Sequence, residues 1–559
     1  MTDQEKDRNL RKSTDYSLSE AIDALGFGLF QIALAFGLGV VYLADAMEIM
    51  VLPVLGPLLE CTWDISKTNV AFLTTCMMIG MAIGAPLWGY VSDVFGRKRI
   101  LVASGVLLLA FGTASVFAPT FDWFLILRLL CGFCISSFPQ CDVLLAEYMP
   151  SYARGRAVTF MSFVFACGGT LVILSSWATI SAPEDWRKLL FICVSPVIIF
   201  LGICYWLPES LLYMSNHGQN EKAEDSLKLV ASINRKKNLL QDMKISTVLS
   251  DCQIPNSSES CYGKIYNDIY LILQPNRLLV TLVIWSMWFL NGVSIYGIML
   301  SSPEILKWVD KCDENVNNQT QGHLIHEVMG ILNTTEENEG QINITINGSS
   351  NSGKDTSDVD LEQCKLFSSE DYKGIIWASL GEVPGMLISV CILDIVGRKA
   401  TYLVSTGIFT ISLLPLCINP CAIPKTWVVI LLFCSRGSAV MWNTTNFVYT
   451  PESYPTKIRS SALGVGSGIM RVGVMITPFI AQVLMPVLVS LGTFTYVAVG
   501  AIAFILSLLL PSETMRVDLS KVGETISSEE PISIQCVPLY HSSTQTKEYQ
   551  ENQRLLKEN

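Results

Sequence analysis

Twelve apolar runs punctuate the chain, near 27–50, 68–91, 99–118, 122–148, 156–180, 188–207, 277–300, 372–395, 400–418, 425–449, 458–482 and 485–510. A run of about 20 apolar residues is long enough to cross the hydrocarbon core of a bilayer as a helix. A soluble helix shows polar positions on one face every third or fourth residue, and stretches such as LVASGVLLLAFGTASVF (101–117) do not. Lipid admits only helices or closed barrels. The pattern therefore predicts an all-α membrane protein: a tail over 1–26, six helices over 27–207, a linker with short amphipathic helices over 208–276, six more helices over 277–510, and a disordered tail over 511–559.

Basic residues set the expected orientation. Arg97, Lys98, Arg99, Arg154, Arg156, Arg398, Lys399, Lys457 and Arg459 all flank the turns that follow even-numbered helices, while the opposite short loops hold only scattered bases such as Lys67 and Lys425. By the positive-inside rule those turns are cytoplasmic, and twelve crossings put both tails there too. Residues 301–371 then face outward or into a lumen. This segment is predicted to be a solvated loop, with about ten more acids than bases and four Asn-x-Ser/Thr acceptors, at Asn318, Asn333, Asn343 and Asn347.

Composition narrows the function classes. The 559 residues are 50% hydrophobic and only 16% charged, and the net charge of -11 comes mostly from the outward loop; nothing here suggests a nucleic-acid partner. All four His lie outside the apolar runs, and no H-E-x-x-H or G-x-S-x-G occurs, so neither a metal site nor a cofactor nor an enzyme is expected. Most of the 17 Cys sit inside the runs, where thiols pack as small hydrophobes; this includes Cys131 and Cys134 of a C-x-x-C. Cys312 and Cys364 lie near the two ends of the outward loop and are candidates for a disulfide, which in the chain-entropy account contributes about 4 kcal/mol for a loop of about fifty residues.

An internal echo organises the rest. Asp93, Gly96, Arg97 and Lys98 reappear as Asp394, Gly397, Arg398 and Lys399, a shift of 301 residues; Glu147 to Glu452 and Arg128 to Arg436 are separated by nearly the same distance. Each half is thus six helices with the same marks, a parallel duplication about an axis along the membrane normal. Gly96 allows a tight reversal and the basic pair holds the turn in the cytoplasm.

The turns D-V-F-G-R-K and D-I-V-G-R-K, the segments E-Y-M-P-S-Y-A-R-G-R and P-E-S-Y-P-T-K-I-R, and L-P-E-S after the sixth run resemble the signature set of the major facilitator superfamily, in its sugar-porter and organic-ion branch. Y-L-A-D-A-M-E-I-M, N-G-V-S-I-Y-G, L-G-E-V-P-G and M-R-V-G-V-M-I-T-P-F narrow the likeness to the synaptic vesicle 2-related group within it. The resemblance covers about residues 20–512 and implies the twelve-helix major facilitator fold, two six-helix bundles related by a pseudo-two-fold axis, with a central cavity lined by helices 1, 4, 7 and 10. One departure is Val390, which stands where the first copy of the turn motif has Gly89.

Charges inside the spans are informative because each costs several kcal/mol in hydrocarbon unless paired or facing a wet cavity. They are Asp45 and Glu48, three residues apart on one helix face, Arg128 and Asp142, fourteen residues or close to four turns apart and so expected within about 40° of each other, Glu382, and Arg471. By resemblance to proton-coupled sugar porters, Asp45 pairs with Arg128, as a proton switch or as a fixed structural pair. Arg471 either holds a substrate carboxylate or phosphate or neutralises Glu382. With Asn291, Tyr296 and Asn443 these make up the candidate substrate and proton contacts. Glu147, Arg156, Glu452 and Arg459, with the two turn motifs, are candidate braces of a cytoplasmic gate. The implied function is alternating-access transport of a small organic ion or metabolite, with protons as a further partner; the rival is a transport-inactive vesicle protein. Membrane lipid is a partner by composition. In the C-terminal tail Glu551, Leu555 and Leu556 resemble the acidic dileucine signal read by clathrin-adaptor complexes, which points to a vesicle membrane, with the plasma membrane as the alternative.

Overall fold

The computed structural model describes residues 18–180, 185–236, 269–335, 367–455 and 458–510. Asn343, Asn347, Cys364, Glu551, Leu555 and Leu556 lie outside the described residues. So do the side chains of Asn318, Asn333 and Asp394.

Every long element among the described residues is helical. The first six spans are Leu29–Met50, Lys67–Phe95, Arg97–Val116, Phe121–Ile135 continued by Gln140–Tyr148, Arg154–Thr179 and Trp186–Cys204. The second six are the helix Pro275–Thr335, the pair Ser369–Leu380 and Glu382–Ile395, then Arg398–Ile418, Lys425–Ser453, Arg459–Pro478 and Val489–Leu509. Eleven of the twelve are long and apolar enough to cross a membrane by length and composition. The tenth, Lys425–Ser453, is long enough but more polar, because Ser435, Arg436, Ser438, Thr445, Asn446 and Thr450 are all buried in it. It packs against the seventh, eighth, ninth and eleventh spans, so protein rather than lipid surrounds much of its polar side.

The duplication is visible in packing. A Cβ built on Gly80 comes within 2.1 Å of the Leu129 carbonyl oxygen, and one on Gly381, 301 residues later, comes within 2.2 Å of that of Phe433. The second and fourth spans of each half therefore touch backbone to backbone, an approach only glycine allows. At the turn glycines φ is +100° at Gly96 and +103° at Gly397, where an L side chain is strained.

Two expectations need correction, and one helix comes in addition. The outward segment is not a loop throughout, because the seventh helix runs on from the membrane to Thr335. A further helix, Leu52–Trp63, follows the first span and buries Leu55, Leu58 and Leu59. Cys312, at the outward end of the seventh span, is bonded to Cys421 rather than to Cys364, with Cα atoms 5.5 Å apart. The reason is helix packing: it brings the Pro420–Ala422 turn beside residue 312 across a separation of 109 residues. Cys61 is disulfide-bonded as well. Among the described residues, the bonded cysteines lie at the end opposite the basic turns and the free ones lie in the spans.

At the end that carries the basic turns, two linker helices, Leu211–Asn216 and Asn220–Ile233, dock under the first half; the second buries Ala223, Leu227, Val230 and Ala231. Asn234 accepts from the Phe30 N–H (3.0 Å) and donates to Gln31 (2.9 Å). A short helix, Leu18–Leu25, lies within the predicted N-terminal tail and is held by Asp23, which accepts from the Ser151 N–H and hydroxyl at 2.6 and 2.8 Å. Those two bonds keep the Asp23 carboxyl below its ordinary range.

Candidate functional site

A cavity of about 360 Å3 lies between the halves. From the first half it is lined by Tyr42 and Asp45, by Met78 and Met81, by Pro139 and Asp142, and by the stretch from Val158 to Ala166. From the second half come Tyr296 and Met299, Glu382 and Met386, Asn443 to Phe447, and Ser467 to Val474. Towards the outer face the halves meet: Thr74 Oγ1 donates to Gln482 at 3.3 Å, Thr170 and Ser379 share a hydrogen bond of 3.2 Å, and the rings of Phe72 and Phe479 cross edge to face at 5.5 Å. The lining instead reaches Val158 and Phe447, in the halves of the fifth and tenth spans nearer the basic turns. The cavity thus faces the end that carries the basic turns.

The nine predicted contacts separate into two groups. Asp45, Asp142, Tyr296, Glu382, Asn443 and Arg471 line the cavity; Glu48, Arg128 and Asn291 are fully buried elsewhere. Arg128 does not pair with Asp45. It donates to Glu48 Oε2 at 2.6 Å and to Ser115 Oγ at 2.7 Å, and lies 5.1 Å over the ring of Phe124. The helical screw accounts for this. Three residues amount to about 300° of rotation and about 4.5 Å of rise, so Glu48 sits about 60° around the helix from Asp45 and one turn further out. Asp45 is left on the cavity wall with Oδ1 unpartnered.

Arg128 and Asp142 do not share a face either. The fourth span breaks over Ser136–Pro139, and the new segment turns Asp142 into the cavity, where the Tyr42 hydroxyl donates to it. Its Oδ1 is also without a partner. Asn291 instead ties the seventh span to the tenth, through Nδ2 to the Ala439 carbonyl at 3.3 Å.

Arg436 was missed among the membrane charges. It is 4% exposed and binds Glu382 through Nε at 3.0 Å and Nη2 at 2.5 Å. Its place as the repeat of Arg128 was the signal that marks it. Glu382 is thus neutralised without Arg471, whose guanidinium donates to Ser467 Oγ at 3.3 Å and otherwise faces the cavity. No ion pair within 4 Å joins Asp45 to Arg471, although each lies in the other's field.

The candidate gate residues sit in matched pairs at the ends that carry the basic turns. Arg97 Nε lies 3.3 Å from Glu147 Oε1, and Arg398 Nη2 lies 2.9 Å from Glu452 Oε1. Glu147 also accepts from Ser210 Oγ at 2.6 Å, and Glu209 accepts from the Lys98 N–H at 2.9 Å, which binds L-P-E-S to the first turn. Lys399 caps the last helix by donating to the carbonyls of Leu508 and Leu510. Arg459 donates to the Tyr454 carbonyl, as Arg154 does to that of Met149, so Arg154 rather than Arg156 is its counterpart. Gly89 packs loosely near Gln140, and Asp93 is exposed, 3.6 Å from Arg97.

The sequence model of the Major Facilitator Superfamily matches residues 27–308 and 374–539. The chain belongs to the major facilitator superfamily. This member is 33% identical over 501 residues to the synaptic vesicle 2-related protein of Xenopus laevis, covering 89% of this chain and 81% of the relative. It is 30% identical over 506 residues to the putative transporter svop-1 of Caenorhabditis elegans, covering 89% and 86%. Among solved structures, the inward-open xylose transporter XylE from E. coli superposes with a TM-score of 0.61 at 17% identity, over 89% of this chain and 99% of that one. The twelve-helix major facilitator fold expected from the motifs is the fold observed.

Proposed function

We propose that this superfamily member carries a small organic ion or metabolite across the membrane by alternating access, and that the conformation described is its inward-facing state. The carrying observation is the cavity between the halves, closed outward by the contacts of Thr74, Phe72 and Thr170 and lined by ionisable side chains from both bundles. A transport-inactive descendant has no use for exposed charge at mid-membrane, where Asp45, Asp142 and Arg471 each carry a solvation cost. Protons would couple through Asp45, which faces the cavity, rather than through the enclosed Glu48–Arg128 pair. The decisive experiment loads purified protein into vesicles and screens charged metabolites with and without a pH gradient. Uptake that follows the gradient in wild type and loses that dependence in Asp45→Asn is expected. No uptake of any solute, with a transporting relative run in parallel, refutes the reading. We further propose residence in a vesicle membrane, addressed by Glu551, Leu555 and Leu556; replacing both leucines with Ala is expected to raise surface biotinylation.

A further inference from the structure

The two walls of the cavity carry opposite charge. From the first half, Asp45 and Asp142 present carboxylates, each with an oxygen that has no hydrogen-bond partner. From the second half, Glu382 is neutralised by Arg436, so the charge facing the cavity is the guanidinium of Arg471, which keeps most of its donors after its one bond to Ser467. Asn443 adds an amide oxygen without a partner. The acids and the guanidinium do not close on one another within 4 Å in this conformation, so the charges stand apart with space between them. A charged group held in such a place without a partner is costly, and a ligand that supplies the missing partners recovers that cost on binding.

We propose that the substrate is a zwitterion, with an ammonium group held by Asp45 and Asp142 of the first half and an anionic group held by Arg471 of the second. This rests on the transport reading and adds the substrate class to it. A molecule with only one charge satisfies one wall and leaves the other unpaired. A zwitterion of the right length satisfies both and, in doing so, ties the two halves together across the cavity. That tie is the differential contact an alternating-access cycle needs, because a ligand shifts a conformational equilibrium only by what it binds better in one state. The apolar lining, Met78, Met81, Met299 and Met386, suits a methylene spacer between the charged ends.

The test is a binding panel on full-length protein in detergent, read by calorimetry. The probes are the straight-chain ω-amino acids from 4-aminobutyrate to 8-aminooctanoate, the alkylamines and alkyl carboxylates of the same lengths, and a neutral hexose. At least one ω-amino acid is expected to bind about tenfold or more tightly than both single-charge analogues of its length, the weight of one charge-assisted hydrogen bond. Asp45→Asn should remove the advantage over the carboxylate, and Arg471→Gln the advantage over the amine. Binding of the amine, the carboxylate or the hexose as tight as that of every ω-amino acid overturns the proposal, as does a panel in which no ω-amino acid binds. Calorimetry needs no translocation. Zwitterion binding without vesicle uptake would refute transport alone, and uptake of a singly charged or neutral solute would refute the zwitterion alone.

Discussion

Glu48→Gln separates the observed pairing from the one the motifs suggested. Glu48 and Arg128 are both 0% exposed and 2.6 Å apart, so the substitution leaves a guanidinium buried with Ser115 and the face of Phe124 as its remaining partners. Breaking a buried ion pair by removing one partner costs about 3–5 kcal/mol, roughly two to four powers of ten in the folded-to-unfolded ratio. Asp45→Asn, three residues away, removes no hydrogen bond at Oδ1 and should change stability by under about 0.5 kcal/mol. The protein supplies its own reporters: Cys131, Cys134 and Cys193 are buried and free, and two of them, Cys131 and Cys193, lie within the field of Arg128. A thiol-reactive dye that lights up as these cysteines become exposed on heating reads the melt in detergent. Glu48→Gln should melt well below wild type, Asp45→Asn should melt as wild type does, and Glu48→Leu combined with Arg128→Met should recover much of the loss. Equal losses for Asp45→Asn and Glu48→Gln, or no loss for Glu48→Gln, would refute the pairing.

Gly96→Ala is expected to cost at least about 1–3 kcal/mol, since φ is +100° and a Cβ would stand 2.7 Å from Glu209 Oε2, while Gly89→Ala, with nothing nearer than 4.0 Å, should melt as wild type in the same assay. Asp93→Ala removes a side chain that is 72% exposed and should leave the melt unchanged while raising the labelling, from the cytoplasmic side, of a cysteine placed at Thr159; equal labelling removes Asp93 from the gate. Peptide mapping without reductant should recover Cys312 joined to Cys421, and Cys421→Ser should destabilise by about 5 kcal/mol for a loop this long; recovery of Cys312 joined to Cys364 would overturn the assignment.

The spans and the duplication were legible because they rest on properties every residue contributes to: run length, the basic turns and a shift of 301 residues. The matched pairs Arg97 with Glu147 and Arg398 with Glu452 join residues the motifs had already singled out. Partner choice inside the bundle was not legible. Asp45 and Glu48 differ by about 60° on one helix, and whether a neighbouring arginine meets one or the other depends on helix rotation that no pattern in the chain records. Arg436 lies in a run that reads as a span like the others, and only its place in the repeat, opposite Arg128, marked it as a buried charge. The break at Ser136–Pro139 defeated the simple projection from Arg128 to Asp142, because counting 100° per residue assumes an unbroken helix. The continuation to Thr335 was hidden by composition, which reads acidic and Asn-rich as solvated loop.

The disulfide at Cys312 acts together with its ionic neighbours. Lys425 Nζ binds Asp310 at 2.7 Å and Asp371 at 2.8 Å, so the outward ends of the seventh, eighth and tenth spans are stitched together by ion pairs beside a covalent bond to the ninth–tenth turn. Pro303 lies one short segment below, at the place where a helix bends most readily. A tip free to flex there would let the seventh span open alone, like a flap. Stitched as it is, any bend at Pro303 must drag the ninth–tenth turn and the head of the eighth span along with it. The outer mouth therefore has few independent moving parts, and its opening is a rocking of one whole block.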